Sequence, residues 1–157
     1  MTITDVKPHH IDEILAIEKL CFSLPWTRRD LENQMNSDNC IFLAAEDETG
    51  KILGYIGLMH ILDEGYISNV AVAPEYRRRG IADTLINALI DRTKARLSFL
   101  TLEVRESNSP AIALYSKHGF KPVGIRRNYY DRPKENAVLM TLFFDREENL
   151  QYADNVN

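Results

Sequence analysis

Apolar residues recur along this chain with two periods, and the switches between them mark out its elements. Alternation around Ile3 to Val6 predicts a short strand, and Ile11, Ile14, Leu15 and Glu18 at helical spacing predict a helix from about His10 to Leu20. A second helix is predicted after Trp26, where Thr27 as N-cap with Asp30 three positions on comes close to a capping box. Between the two, Cys21-Phe22-Ser23-Leu24-Pro25-Trp26 reads as a loop carrying bulky apolar groups.

Cys40 to Glu46 and Lys51 to Leu62 read as a strand hairpin about a turn at Asp47 to Gly50, with Gly54 and Gly57 as bend points. The next strand, Tyr66 to Val72, stops at Ala73-Pro74. After a basic turn, Ile81, Leu85, Ile86, Leu89 and Ile90 form one stripe of a helix from Gly80 to about Arg96. Phe99 to Val104 is strand again, and Asn108 to Lys117 is helix, capped by Asn108 or Ser109, with Pro110 in its first turn and Gly119 past its end. Strands around Phe120 to Ile125 and Ala137 to Phe144 close the pattern, and the tail from about residue 146 reads as loose. This order calls for an α+β or α/β domain with one mixed sheet and helices on both faces. A right-handed crossover through the Gly80 helix sets Phe99 to Val104 parallel to Tyr66 to Val72, with their C-terminal ends on one side.

Length and composition bound the function. A chain of 157 residues, 45% hydrophobic and 27% charged, fits one ordinary globular domain over residues 1 to 157. Its net charge of −4 argues against a general polyanion-binding surface, so no direct nucleic-acid partner is expected. The start, with Asp5, Lys7, His9, His10, Asp12 and Glu13, lacks the apolar core of a secretory signal, and the longest apolar-rich run, Ile52 to Leu62, is too short for a bilayer. A cytoplasmic protein without membrane contact is the expectation. Cys21 and Cys40 show neither zinc-knuckle spacing nor the density of a disulfide scaffold, so reduced, partly buried thiols are expected. His9, His10, His60 and His118 form no metal-ligand pattern, and no metal is expected.

Three features carry chemistry. The run Val70-Ala71-Val72-Ala73-Pro74-Glu75-Tyr76-Arg77-Arg78-Arg79-Gly80-Ile81-Ala82 is a strand, a basic turn and a helix start. Small residues at Gly80 and Ala82 let the backbone approach a ligand, and unpaired N–H groups at the helix start favour an anion. The same run also reads as a solvated basic turn feeding an ordinary helix. Glu103, a carboxylate in an apolar strand, shares a face with Phe99 and Thr101 and is a candidate general base, or else a structural partner for Arg105 or Arg126. Asn108 and Tyr115, seven residues apart, return to within roughly 20° on a helix and share a face. Alone, the first reads as a cap and the second as core packing. Asp12, Glu13 and Glu18 read as solvated helix charges.

Together these features resemble the GCN5-related N-acetyltransferases over nearly the whole chain. The most specific match is the acetyl-CoA signature R/Q-x-x-G-x-G/A, here Arg77-Arg78-Arg79-Gly80-Ile81-Ala82, with Ala82 where many members carry Gly. Within that superfamily the chain looks most like the bacterial ribosomal-protein alanine N-acetyltransferases. Four stretches carry this: Phe22 to Trp26; Leu102 to Arg105 with Ser107-Asn108; Ala111 to Tyr115 with Gly119-Phe120; and Arg126-Arg127-Asn128-Tyr129-Tyr130.

The resemblance implies an α+β fold layered α/β/α, with a mixed, mostly antiparallel sheet of about seven strands flanked by about four helices. It implies acetyl-CoA as co-substrate, held by Val70, Ala71 and Val72 along the pantetheine, by Arg78, Arg79, Gly80, Ile81, Ala82 and Asp83 around the pyrophosphate, and by Asn108. Glu103 would be the base and Tyr115 the acid for the departing thiolate, with direct transfer to the N-terminal amine of a ribosomal protein and no acyl-enzyme. Trp26, Tyr129 and Tyr130, in aromatic loops beside the expected cleft, are candidate acceptor contacts, although loop aromatics also serve as local staples. A monomer is expected. Transfer to lysine side chains or small amines, and an acyl-CoA-binding module without turnover, are the rival readings.

Overall fold

A computed structural model of the chain describes residues 1–144. The expectation of a loose tail falls outside the described residues. Among these, β1 (Thr2–Asp5), α1 (Ile11–Cys21), α2 (Arg28–Asn36), β2 (Cys40–Glu46), β3 (Ile52–Ile61), β4 (Glu64–Val72), α3 (Ile81–Thr93), β5 (Phe99–Arg105), α4 (Ser109–Lys117), β6 (Lys121–Tyr130) and β7 (Glu135–Phe143) follow in order. One seven-stranded sheet runs β1-β2-β3-β4-β5-β7-β6. Only the β4–β5 pairing is parallel, as the crossover through α3 requires.

Sequence period and local chemistry account for the helices. Thr27 and Asp30 close the predicted capping box on α2, the Thr27 hydroxyl accepting from the Asp30 N–H. Ile81, Leu85, Ile86 and Leu89 are each at most 4% exposed, so the α3 stripe is buried as its spacing predicts. It packs with Ile56, Leu58, Leu100, Leu102 and Val104, and Tyr115 of α4 joins this cluster. A second cluster lies under α1 and α2, built on Ile11, Ile14, Ile17, Leu31, Phe42, Tyr55 and Ala71. The sheet is therefore covered by α3 and α4 on one face and by α1 and α2 on the other.

Four expectations are corrected. The last two strands run Lys121–Tyr130 and Glu135–Phe143, so Tyr129 and Tyr130 end a strand rather than sit in a loop. The pairing of β6 with β7 is broken by register shifts, and Asn128 has φ +55, which hides the strand from simple alternation. α3 ends at Thr93, short of Arg96, and β4 begins at Glu64. Glu18 is not a solvated charge: it is fully buried. Asp12 is exposed and pairs with Arg28, while Glu13 caps the Ile52 N–H at 3.0 Å.

Gly54 serves close approach more than bending, since a Cβ there would stand 2.7 Å from the Ala71 carbonyl oxygen. Gly57 does sit at a register shift between β3 and β4.

Candidate active site

The site begins where the sheet comes apart. β4 pairs with β3 down to Val72↔Gly54, but its parallel pairing with β5 covers only Glu64–Tyr66 against Phe99–Thr101. Beyond those three pairs the strands diverge and leave a gap. The Ala73 N–H donates to the Leu53 carbonyl at 2.9 Å, and with the register Tyr55↔Ala71 and Ile56↔Val70 this fixes the alternation. Ala71 spends its main-chain groups on Tyr55, whereas Val70 and Val72 turn theirs toward the gap. The Val72 carbonyl already accepts from Arg77 Nε at 3.3 Å and lies 3.6 Å from Cys21 Sγ. The Val72 N–H and both Val70 groups remain as the rim an extended ligand would pair with.

At the end of β4 the chain makes a single turn over Pro74–Tyr76, then enters the basic segment. Arg78 and Gly80 both adopt left-handed backbone, with φ of +64 and +76. Gly80 is the N-cap of α3 and offers no side-chain cap to the first turn. The N–H groups of Ile81, Ala82 and Asp83 therefore start the helix open, and a Cβ built on Gly80 meets nothing within 4 Å. A thirteen-residue helix dipole, open amides and three adjoining arginines form a cradle suited to a diphosphate.

The arginines differ in duty. Arg77 is tied to Val72, and Arg79 lies over the Tyr76 ring at 5.4 Å. Asp83 places a carboxylate in the same turn, yet its Oδ1 binds Lys117 Nζ and His118 Nε2, each at 2.9 Å. The hydrogen bond from Lys117 first, then that from His118, holds the Asp83 carboxyl below its ordinary range. Its charge is thus turned away onto α4, which leaves the Asp83 N–H as its contribution to the cradle.

Glu103 stands on the opposite lip of the gap, on the same side of the sheet as α1 and α2 but among strand residues alone. It lines an open cavity of about 300 Å³ with Tyr66, Phe99, Thr101, Arg126, Leu139, Thr141 and Phe143. The β5–β7 register, Phe99↔Phe143, Thr101↔Thr141 and Glu103↔Leu139, puts these side chains in one array, as alternation predicts. Arg126 Nε lies 3.4 Å from Glu103 Oε1, while Arg105 pairs with Glu135 instead. Arg126 is 58% exposed on its side chain, so this pair is worth at most about 1 kcal/mol and is readily exchanged for an incoming group.

Tyr115 of α4 lies on the other side of the sheet from Glu103, buried in the core cluster under α3. Its ring packs on Phe120 at 5.8 Å between centroids. Burial first, then Tyr130, pushes its phenol up to about 12. Tyr130 is itself pushed up to about 12 by burial, by Tyr129 and by the Glu103 charge. Tyr130 thus lies within electrostatic reach of both Glu103 and Tyr115. The Arg105 guanidinium covers its ring at 4.3 Å, and Arg105 also donates to the Pro133 and Asp131 carbonyls of the β6–β7 turn. Arg105 and Glu135 were not singled out in the sequence as site residues. Their tie spans 30 positions and leaves no local signal.

Asn108 caps α4, its Oδ1 accepting from the Ala111 N–H at 3.2 Å, which leaves its amide N–H₂ for a ligand. The cap reading and the ligand reading therefore coexist. The Trp26 side chain packs on the α1–α2 cluster, as a staple would, and the Trp26 main-chain N–H donates to Glu18. Tyr129 is 49% exposed. Both cysteines are free and half-buried, and Cys21 comes nearer the site than its place in the sequence suggests, with Sγ 3.3 Å from Arg77 Nη2.

The comparisons with known proteins agree with this geometry. The acetyltransferase (GNAT) family profile matches residues 11–120. The [ribosomal protein bS18]-alanine N-acetyltransferase of Escherichia coli K12 is 33% identical over 144 residues, covering 90% of this chain and 96% of its own. The crystal structure of the Escherichia coli ribosomal-protein-S18-alanine N-acetyltransferase superposes with a TM-score of 0.85 at 32% identity, covering 92% of this chain and 94% of that one. Arabidopsis thaliana NAA60, crystallised with acetyl-CoA, shares the fold at a TM-score of 0.82 and 20% identity, over 90% of this chain and 97% of its own. The split sheet, the open helix start and the full-length likeness together place this chain in the acetyltransferase (GNAT) family.

Proposed function

We propose that this chain acts as one transferase domain that moves an acetyl group from acetyl-CoA to the N-terminal α-amine of a protein, with the N-terminal alanine of a small-subunit ribosomal protein as acceptor. The observation that carries this reading is the position of Glu103. It lines an open cavity walled by strand residues alone, at the edge of a gap whose far side leads to the anion cradle. The relative named for bS18-alanine acetylation covers nearly the whole of both chains, which supports the acceptor class. Among the described residues no helix is long and apolar enough to cross a membrane, and work on ribosomal proteins fits a cytoplasmic enzyme.

Bound acetyl-CoA supplies a thioester-activated acetyl group. The residues present fit it: Val70 and Val72 offer main-chain groups along the gap, Arg78 through Asp83 surround the phosphates, and Asn108 presents its amide to the pantetheine. An α-ammonium has a pKa of about 7.7–8.0, so a modest proton acceptor frees it, and Glu103 takes that role. The Val72 N–H faces the gap, and a thioester carbonyl lying there would find in it a donor for the charge that develops on oxygen. Tyr115 donates to the departing sulfur. Trp26, Tyr129 and Tyr130 bound the acceptor on its two sides.

Incubation with acetyl-CoA and intact ribosomal proteins, followed by mass spectrometry, tests the acceptor: one chain should gain a single acetyl group on its N-terminal alanine. Acetylation confined to lysine side chains would reject the reading. Glu103→Gln should lower kcat/KM by about 10²-fold, most severely below about pH 7.7 where the amine is protonated, with acetyl-CoA affinity unchanged. A pH–rate profile that keeps its shape would remove Glu103 as the base.

A further inference from the structure

The structure assigns a task to Glu18, a buried carboxylate that the chemistry above does not use. Its side chain is fully sealed from solvent. Oε1 accepts from the Tyr55 hydroxyl and from Asn69 Nδ2 at 2.7 Å, and Oε2 accepts from the Trp26 N–H at 2.9 Å. All three donors are uncharged. Burial and this neighbour push the Tyr55 phenol well above its ordinary value, so the hydroxyl remains a donor. An isolated carboxylate in a dry site costs several kcal/mol, and an apolar residue at a core position of α1 would avoid that cost. What a carboxylate provides, and an apolar residue does not, is a fixed spacing among its donors.

Those donors come from three separate elements. Trp26 ends the Phe22–Trp26 segment between α1 and α2, Tyr55 lies in the centre of β3, and Asn69 lies on β4 immediately before Val70. Asn69 and Ala71 share the α1 side of the sheet, while the main-chain groups of Val70 face the gap. One side chain therefore sets the distance between the segment that walls the acceptor side and the strand that faces the acetyl donor. We infer that Glu18 is a positioning residue for acceptor recognition, acting through the Phe22–Trp26 segment. This rests on the reading of that segment as an acceptor wall. Leu24, 60% exposed, lies in that segment two positions before the Trp26 N–H that Glu18 holds.

Glu18→Gln conserves size but leaves one acceptor oxygen, which can serve Trp26 or the Tyr55–Asn69 pair and not both. With an alanine-initiated ribosomal peptide as acceptor, the variant should raise the acceptor KM by about tenfold, with kcat within about threefold and acetyl-CoA Kd within about twofold. Tyr55→Phe, which removes a single donor and keeps the ring, should raise the same KM by about threefold and carries the test if Glu18→Gln folds poorly. Hydrogen exchange adds a readout independent of turnover: amides of Phe22–Trp26 should exchange about tenfold faster in the variant. Acceptor KM values within twofold of wild type in both variants, or an equal rise in KM and acetyl-CoA Kd, overturn the inference. A wild-type chain inert toward the peptide refutes the acceptor assignment instead, and unchanged exchange in Glu18→Gln then refutes the tie itself.

Discussion

Replacing Gly80 by Glu abolishes acetyl-CoA binding in calorimetry while the protein stays folded. The fold survives because a Cβ at Gly80 meets nothing within 4 Å, so the cost is the left-handed backbone at φ +76, about 1–2 kcal/mol for a residue with a Cβ. A carboxylate at the start of α3 also suits the helix dipole, so the free protein has no electrostatic objection to it. A diphosphate would compete for the same open amides of Ile81, Ala82 and Asp83. Two unit charges 4 Å apart at an effective dielectric of 20 repel by about 4 kcal/mol, roughly a thousandfold in affinity per pair. Gly80→Ala separates the causes, because it carries the strain without the charge and should weaken binding far less. Unaltered affinity in Gly80→Glu would show that the phosphates lie elsewhere.

Tyr115→Phe slows transfer by about 10²-fold or more with acetyl-CoA affinity and thermal stability nearly unchanged. The ring keeps its contact with Phe120, so only the hydroxyl is removed. With the phenol pushed up to about 12 against a thiol near 8.5, the hydroxyl stays protonated through the neutral range and is a reluctant source of a free proton. Its contribution is then a hydrogen bond that strengthens as negative charge collects on sulfur. The same phenol should leave no limb near pH 10 in the wild-type pH–rate profile. Near-normal rates in Tyr115→Phe, measured as single-turnover release of free thiol, would return Tyr115 to packing alone.

The elements were legible wherever burial follows a simple period. The α3 stripe, the β2–β3 hairpin and the α2 cap all stand as read. β6 was shortened because it is an edge strand, exposed through Arg127 and Tyr129, with shifts in register that erase alternation. Glu18 shows the limit most clearly. It occupies the buried stripe that Ile11 and Ile14 begin, so its position was readable, but its charge argued for solvent. The groups that satisfy it, Tyr55 and Asn69, lie 37 and 51 positions away, and nothing local announces them.

The chemistry was legible in the same uneven way. Gly80 and the arginines mark the cradle because backbone conformation and charge are local properties. That Glu103 lines a cavity beside the sheet's divergence, with Tyr115 on the opposite face, is a property of the fold, and no spacing along the chain encodes it.

A sheet whose two halves touch over three residue pairs has a seam, with β1 to β4 on one bank and β5 to β7 on the other. Whatever lies along the free rim of β4 supplies rungs that the polypeptide omits. A donor bound along that rim would close the seam, so that loading the enzyme and completing the sheet would be a single event.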